Sequence, residues 1–209
     1  CGNTSVTFFK VDPVSRNVTE DFSLPIPGVI SCTVGNISGM GTSDLVLICR
    51  PEGGPEELVV LYEGKDGYDI RQAVRRPLVT PRDVLAADFS GNGYDDIAVC
   101  QGRDNLKYTT ESVLFCTGPA GIGEREKRFV THDALCVLAA RPTGEDLHLI
   151  FANHQQSSTY GHVPAYVYTG DRDGWKADRR VELPGHSPGS MIPADYDDDG
   201  YADVLLIND

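Results

Sequence analysis

A chain of 209 residues with 40% hydrophobic and 23% charged side chains can bury a core and is not intrinsically disordered, and its 22 glycines and 13 prolines suit many short strands better than long helices. The formal charge of −13, with no basic stripe interleaved by aromatics, excludes a phosphate backbone and hence nucleic acid as partner. No apolar run approaches the roughly 18–20 residues that cross a bilayer, so no membrane span is expected in this chain.

The start, Cys1-Gly2-Asn3-Thr4, lacks the charged and apolar regions of a signal peptide, as a mature or trimmed chain would. Three N-x-S/T sequons, at Asn3, Asn17 and Asn36, make these asparagines candidate glycosylation sites. Six cysteines, Cys1, Cys32, Cys49, Cys100, Cys116 and Cys136, have no CxxC or His-spaced pattern, which argues against zinc and for disulfides. Cross-strand pairs Cys32 with Cys49 and Cys100 with Cys116 are the expected bridges. Sequons and cysteines together point to a secreted or cell-surface protein.

Along the chain one pattern occurs four times: a β-rich stretch, a short Gly-containing loop, an Asp, and a run of branched aliphatic residues. The copies lie at 32–48, 85–99, 137–150 and 192–207, and their terminal aspartates, Asp44, Asp96, Asp146 and Asp203, are 52, 50 and 57 residues apart. A second element recurs within the units, Leu61–Tyr68 and Val167–Trp175, with Leu114–Gly118 a worn copy. Asp-Gly between β-rich segments is a hairpin signal, so each unit reads as four antiparallel strands, the size of a propeller blade.

The expected fold is therefore all-β, a single β-propeller domain or segment of four-stranded antiparallel blades. Its units span about 27–80, 81–132, 133–185, and 186–209 completed by 1–26. Residues 5–26 read as the second half of a unit and 187–209 as the first half, which fits a closed four-bladed ring or part of a larger one, the larger being favoured. Pairing the two chain ends in one blade would remove two exposed sheet edges.

The loops carry the chemistry. In the fourth copy Asp195, Asp197 and Asp199 hold positions 1, 3 and 5, Gly200 follows, the Tyr201 carbonyl stands at position 7 and Asp203 at position 9. Calcium takes six to eight oxygens at about 2.3–2.6 Å, and alternate residues of a tight loop turn oxygens inward. The second copy offers Asp88, Ser90, Asn92, the Tyr94 carbonyl and Asp96, with fewer carboxylates and weaker expected binding. In the first copy Met40 supplies no oxygen to a hard cation, and the third places Arg141 at position 1, so both are expected to be empty.

These loops resemble those of the FG-GAP/VCBS family, known from integrin α-subunit propellers and many secreted proteins. The stretch Asp195–Asp203 matches that family's D-x-D-x-D-G-x-x-D-hydrophobic motif in full, and the resemblance spans nearly the whole chain. It implies a propeller, usually seven-bladed, with calcium as the cofactor held between strands of a blade; Met40 and Arg141 depart from the pattern.

No G-x-S-x-G elbow, HExxH helix or GxxxxGK[ST] loop is present, and His132, His148, His154, His162 and His186 read as ordinary histidines. Tyr160, His162 and Trp175, beside a long polar insertion at 153–162, form a weak candidate binding surface, although Tyr166 and Tyr168, two apart in a β-rich segment, share one face and suit core packing. The leading expectation is a non-catalytic extracellular calcium-binding module that binds a protein or glycan, or scaffolds a larger ectodomain. The alternatives are a carbohydrate-active propeller, such as a polysaccharide lyase, and a structural subunit of a surface filament.

Overall fold

The computed structural model describes residues 5–105, 107–140, 147–157, 161–171 and 174–208. They form an all-β, antiparallel structure without an α-helix among the described residues. In chain order the strands are β1 (Val6–Val11), β2 (Val18–Leu24), β3 (Val29–Gly35), β4 (Asp44–Cys49), β5 (Glu57–Leu61), β6 (Glu63–Gly64), β7 (Gly67–Tyr68), β8 (Val74–Pro77), β9 (Pro81–Ala87), β10 (Asp96–Gln101), β11 (Thr109–Gly118), β12 (Gly121–His132), β13 (Ala134–Ala140), β14 (His148–Asn153), β15 (Ala165–Asp171), β16 (Gly174–Leu183), β17 (Pro188–Ala194) and β18 (Asp203–Asn208).

Three complete sheets of four strands follow one another along the chain: β3-β4-β5-β8, β9-β10-β11-β12 and β13-β14-β15-β16. Their second strands, DLVLIC, DIAVCQ and HLIFAN, are almost wholly buried because each sheet is covered on both faces by its neighbours. Packing is face to face and sequential. Val46, Ile48, Leu58 and Val60 of the first sheet meet Val84, Ile97 and Val99 of the second. Leu114 and Phe129 of the second meet Phe151, Tyr166 and Tyr168 of the third.

Two half-sheets flank this stack. The β1–β2 hairpin lies on the first sheet, where Val6, Phe8 and Phe22 pack against Leu45, Leu47 and Leu61. The β17–β18 pair lies on the third, where Met191, Val204 and Leu206 pack against Ile150 and Val167. The unit expected to form from 186–209 and 1–26 is not assembled: the two hairpins belong to separate two-stranded sheets, and the described residues form no closed ring. Each hairpin keeps the place its own chain neighbour gives it.

The Asp-Gly element at 61–68 also departs from a plain hairpin. It makes the short ribbon β6–β7, Glu63 opposite Tyr68, and a 3-10 turn over Ile70–Gln72 intervenes before β8. Asp69 caps that turn, its carboxylate accepting the Arg71 amide at 3.0 Å.

The expected disulfides are absent. Cys32, Cys49, Cys100, Cys116 and Cys136 are all free thiols, and Cys1 lies outside the described residues. Register explains this: Cys32 stands opposite Leu47 and Cys49 opposite Val29, while Cys100 faces Asp83 and Cys116 falls in the β11 bulge past Phe115. Cys32 is exposed; burial pushes the Cys49 and Cys136 thiols up to about 11 and that of Cys100 well above its ordinary value. Since the thiolate is the reactive form, alkylation of dilute native protein is expected to modify Cys32 ahead of the other four, as read by peptide mapping. Equal labelling of Cys32 and Cys100 would contradict the register.

Candidate metal centre

The three loops whose geometry is described share one construction. Each opens after the last residue of one strand and closes on an Asp paired with that residue: Gly35 with Asp44, Ala87 with Asp96, Ala194 with Asp203. The third loop, Arg141 to Asp146, lies outside the described residues.

In the fourth loop the Asp195 carboxylate accepts the Asp199 amide at 3.1 Å and the Gly200 amide at 3.0 Å. Asp199 in turn accepts the Tyr201 amide at 2.8 Å, and Asp203 accepts the Tyr196 amide at 3.1 Å. Gly200 has φ +88°, which its missing Cβ allows without strain. Asp195, Asp197 and Asp203 each bring one carboxylate oxygen within 4.8 Å of the others. Asp199 is not one of that trio; its carboxylate braces the turn.

The second loop repeats this framework with different side chains. Asp88 accepts the Asn92 and Gly93 amides at 3.0 and 2.9 Å, and Asn92 accepts the Tyr94 amide at 2.8 Å, position for position as Asp195 and Asp199 do. Asn92 also donates to the Thr117 carbonyl, 3.0 Å away. Asp96 is fully buried; Oδ1 accepts the Thr117 amide at 2.8 Å, but Oδ2 has no hydrogen-bond partner, although Ser90 stands beside the carboxyl. Burial raises the Asp96 pKa above its ordinary value and the Asp88 charge adds to this, against the Thr117 and Ser90 contacts, which lower it. An orphaned carboxylate oxygen in a protein interior costs free energy unless a cation or donor meets it.

The first loop is closed by the protein itself. Asp44 is also fully buried, yet Oδ2 accepts the Ser38 amide at 2.6 Å and Oδ1 accepts the Glu63 amide at 3.0 Å and the Thr42 hydroxyl at 3.3 Å. No carboxylate oxygen is left over at Asp44, and Met40 is exposed. Asn36 donates to the Gly93 carbonyl at 3.0 Å and its backbone amide binds Asp95 at 2.7 Å, so the first and second loops are zipped together. That side chain is half-buried and committed, a poor glycan acceptor; Asn17 is exposed in the β1–β2 turn, and Asn3 lies outside the described residues.

Of the candidate binding surface, His162 and Trp175 are among the described residues. Trp175 packs edge-on to Phe89 and Phe129, at centroid distances of 5.4 and 5.7 Å, inside the interface of the second and third sheets. Phe89, in the second loop, and Phe129, on β12, leave the Trp175 ring partly buried against the core of the two sheets. His162 is exposed, 4.1 Å centroid to centroid from His186, and Tyr160 lies outside the described residues. Sequence reasoning missed the Thr117 amide as a ligand-orienting group for Asp96, because its place depends on strand pairing 21 residues away. Comparison with known protein families finds no model that matches this chain, and no curated protein matches it.

Proposed function

We propose that this chain is a calcium-binding, non-catalytic repeat module of the FG-GAP/VCBS type, part of a β-propeller, that presents a rigid surface to an extracellular protein or glycan or scaffolds a larger ectodomain. The observation that carries the reading is Asp96 Oδ2, wholly buried and without a partner, in a loop that shares the hydrogen-bond framework of the acidic Asp195–Asp203 loop. A divalent cation would satisfy that oxygen, and at the fourth loop it would offset the mutual repulsion of Asp195, Asp197 and Asp203. Oxygen-only donors, carboxylate, amide, hydroxyl and main-chain carbonyl, select a hard cation over zinc or copper.

Asp195, Asp197, Asp199, Tyr201 and Asp203 would hold the ion in the fourth loop, and Asp88, Ser90, Asn92, Tyr94 and Asp96 in the second. Every loop joins two strands of one sheet, so the ion's role is to set strand geometry. The extracellular setting rests on the exposed Asn17 sequon, since the five cysteines among the described residues are unpaired. Isothermal titration of chelator-treated protein with calcium should show binding at two unequal sites. The variant D195N/D197N should remove the tighter one and D96N the weaker, and isotherms unchanged by both variants would defeat the assignment.

A further inference from the structure

The first loop leaves no carboxylate oxygen of Asp44 open, yet it is built against the second loop along the stretch that joins Asn92 to Asp96. That stretch is Gly93, Tyr94 and Asp95, and the first loop holds all three. Asn36 stands one residue past β3. Its side-chain amide donates to the Gly93 carbonyl at 3.0 Å, and its main chain exchanges two hydrogen bonds with Asp95. In one the Asn36 amide donates to Asp95 Oδ2 at 2.7 Å, and in the other the Asp95 amide donates to the Asn36 carbonyl at 3.0 Å. Tyr94 is held by shape. A Cβ on Gly39 would fall 2.1 Å from the Tyr94 ring, so the ring lies directly on the bare main chain of Gly39.

The first loop is itself firmly fixed. Asn36 Oδ1 accepts the Gly41 amide at 2.9 Å across the loop, and Asp44 is occupied by Ser38, Thr42 and Glu63. Ile37, beside Asn36, is fully buried in the same core cluster as Ile97, which follows Asp96. From the second sheet Thr117 of β11 grips the same stretch. Its hydroxyl donates to the Asp95 carbonyl at 2.8 Å and its amide to Asp96 at 2.8 Å, while its carbonyl accepts from Asn92 at 3.0 Å. Residues 92–96 are thus clamped by two sheets, their own and the one before it.

We propose that Asn36 and Gly39 are positioning residues for calcium at the second loop. The inference rests on the calcium reading proposed above. A loop that the ion must first order gives up binding free energy to that ordering, and a loop already held in place does not. With Met40 where a hard cation needs oxygen, the first loop serves its neighbour instead of an ion of its own. Asn36 is not a ligand; it acts through Gly93 and Asp95, and Gly39 acts through Tyr94. Coupling between two sites is reciprocal, so calcium in the second loop should steady the first, where none binds.

Calorimetric titration with calcium on the D195N/D197N background, where the second loop is the site left to fill, tests this. N36A is expected to weaken that site about tenfold, the equivalent of one lost hydrogen bond. G39A, which pushes the Tyr94 ring aside, should weaken it too, and with the fourth loop intact the tighter isotherm should not move. Hydrogen exchange supplies a readout that a general loss of stability does not mimic. In the parent, calcium should slow exchange of the Gly41 amide and leave that of the Arg16 amide, in the β1–β2 turn, as it was. No calcium binding on the D195N/D197N background would overturn both this inference and the second-loop site. A second site that N36A and G39A leave at parental affinity, or Gly41 exchange indifferent to calcium, overturns the inference alone. The two variants break the link at different contacts, so either one that keeps the parent's circular dichroism decides the matter.

Discussion

Phe129→Ala is expected to lower the unfolding free energy by about 3–5 kcal/mol, the range for removing a fully buried aromatic ring. Phe129 has no exposed surface and stands where the second and third sheets meet. Its ring lies 4.8 Å from Tyr168, 5.7 Å from Trp175 and 6.0 Å from Phe151, centroid to centroid, so three strands of the neighbouring sheet close around it. Tyr168 cannot swing into the vacated space without giving up the 2.6 Å hydrogen bond from its hydroxyl to the Val130 carbonyl. The cavity therefore persists, and its cost adds to the lost burial. Val130→Ala, one residue along on the exposed face, should cost under about 0.5 kcal/mol. Urea unfolding of both variants, followed by far-ultraviolet dichroism, measures the difference; a Phe129→Ala loss below about 1 kcal/mol would mean that this interface does not hold the sheets together.

Calcium at about a hundred times its dissociation constant is expected to stabilise the folded chain by about 2.7 kcal/mol for each loop it fills, provided the unfolded chain does not bind it. At about 2–4 °C per kcal/mol for a chain of this length, one filled loop should raise the melting temperature by about 5–10 °C. Asp96→Asn should make the sign of the effect visible. Without calcium the substitution removes a buried charge that has one unpartnered oxygen and a like-charged neighbour in Asp88. The chelated variant should melt at or above the chelated wild type. With calcium the order should reverse, because the wild type gains the ion at the second loop and the variant does not. Asp195→Asn with Asp203→Asn should remove the larger share of the calcium shift. Thermal unfolding of the three proteins, with calcium and with chelator, provides the measurement, and melting points that calcium leaves unmoved would remove the structural role of the ion.

Much of this protein was legible before any coordinate, for local reasons. The aspartates at 44, 96 and 203 each precede a branched aliphatic run, and each begins a strand paired to the residue nine positions before it, because a Gly-bearing loop of constant length leaves little choice of register. Tyr166 and Tyr168 share a buried face because strand side chains alternate. Met40 already marked the first loop as poor in oxygens, and Asp44 fits that reading by spending both its oxygens on protein donors.

The rest depended on partners distant in sequence. Pairing of the cysteines was inferred from neighbouring strands, yet offset register parts Cys32 from Cys49, and a bulge sits at Cys116. In the sequence Trp175 stands beside a polar loop as a candidate surface ring, but Phe89 of the second loop and Phe129 of another sheet pack against it and leave it partly buried. The ends, 1–26 and 186–209, have complementary strand patterns that invite pairing; each hairpin instead packs on the sheet next to it in the chain, where apolar contacts form without closing the long loop between them. Asp96 and Asp203 hold the same motif position, and no sequence pattern separates them. Tertiary structure does, because the Thr117 amide reaches Asp96 from a third strand that the β17–β18 pair lacks among the described residues, which leaves one closing carboxylate buried with an unpartnered oxygen and the other half-open at a sheet edge.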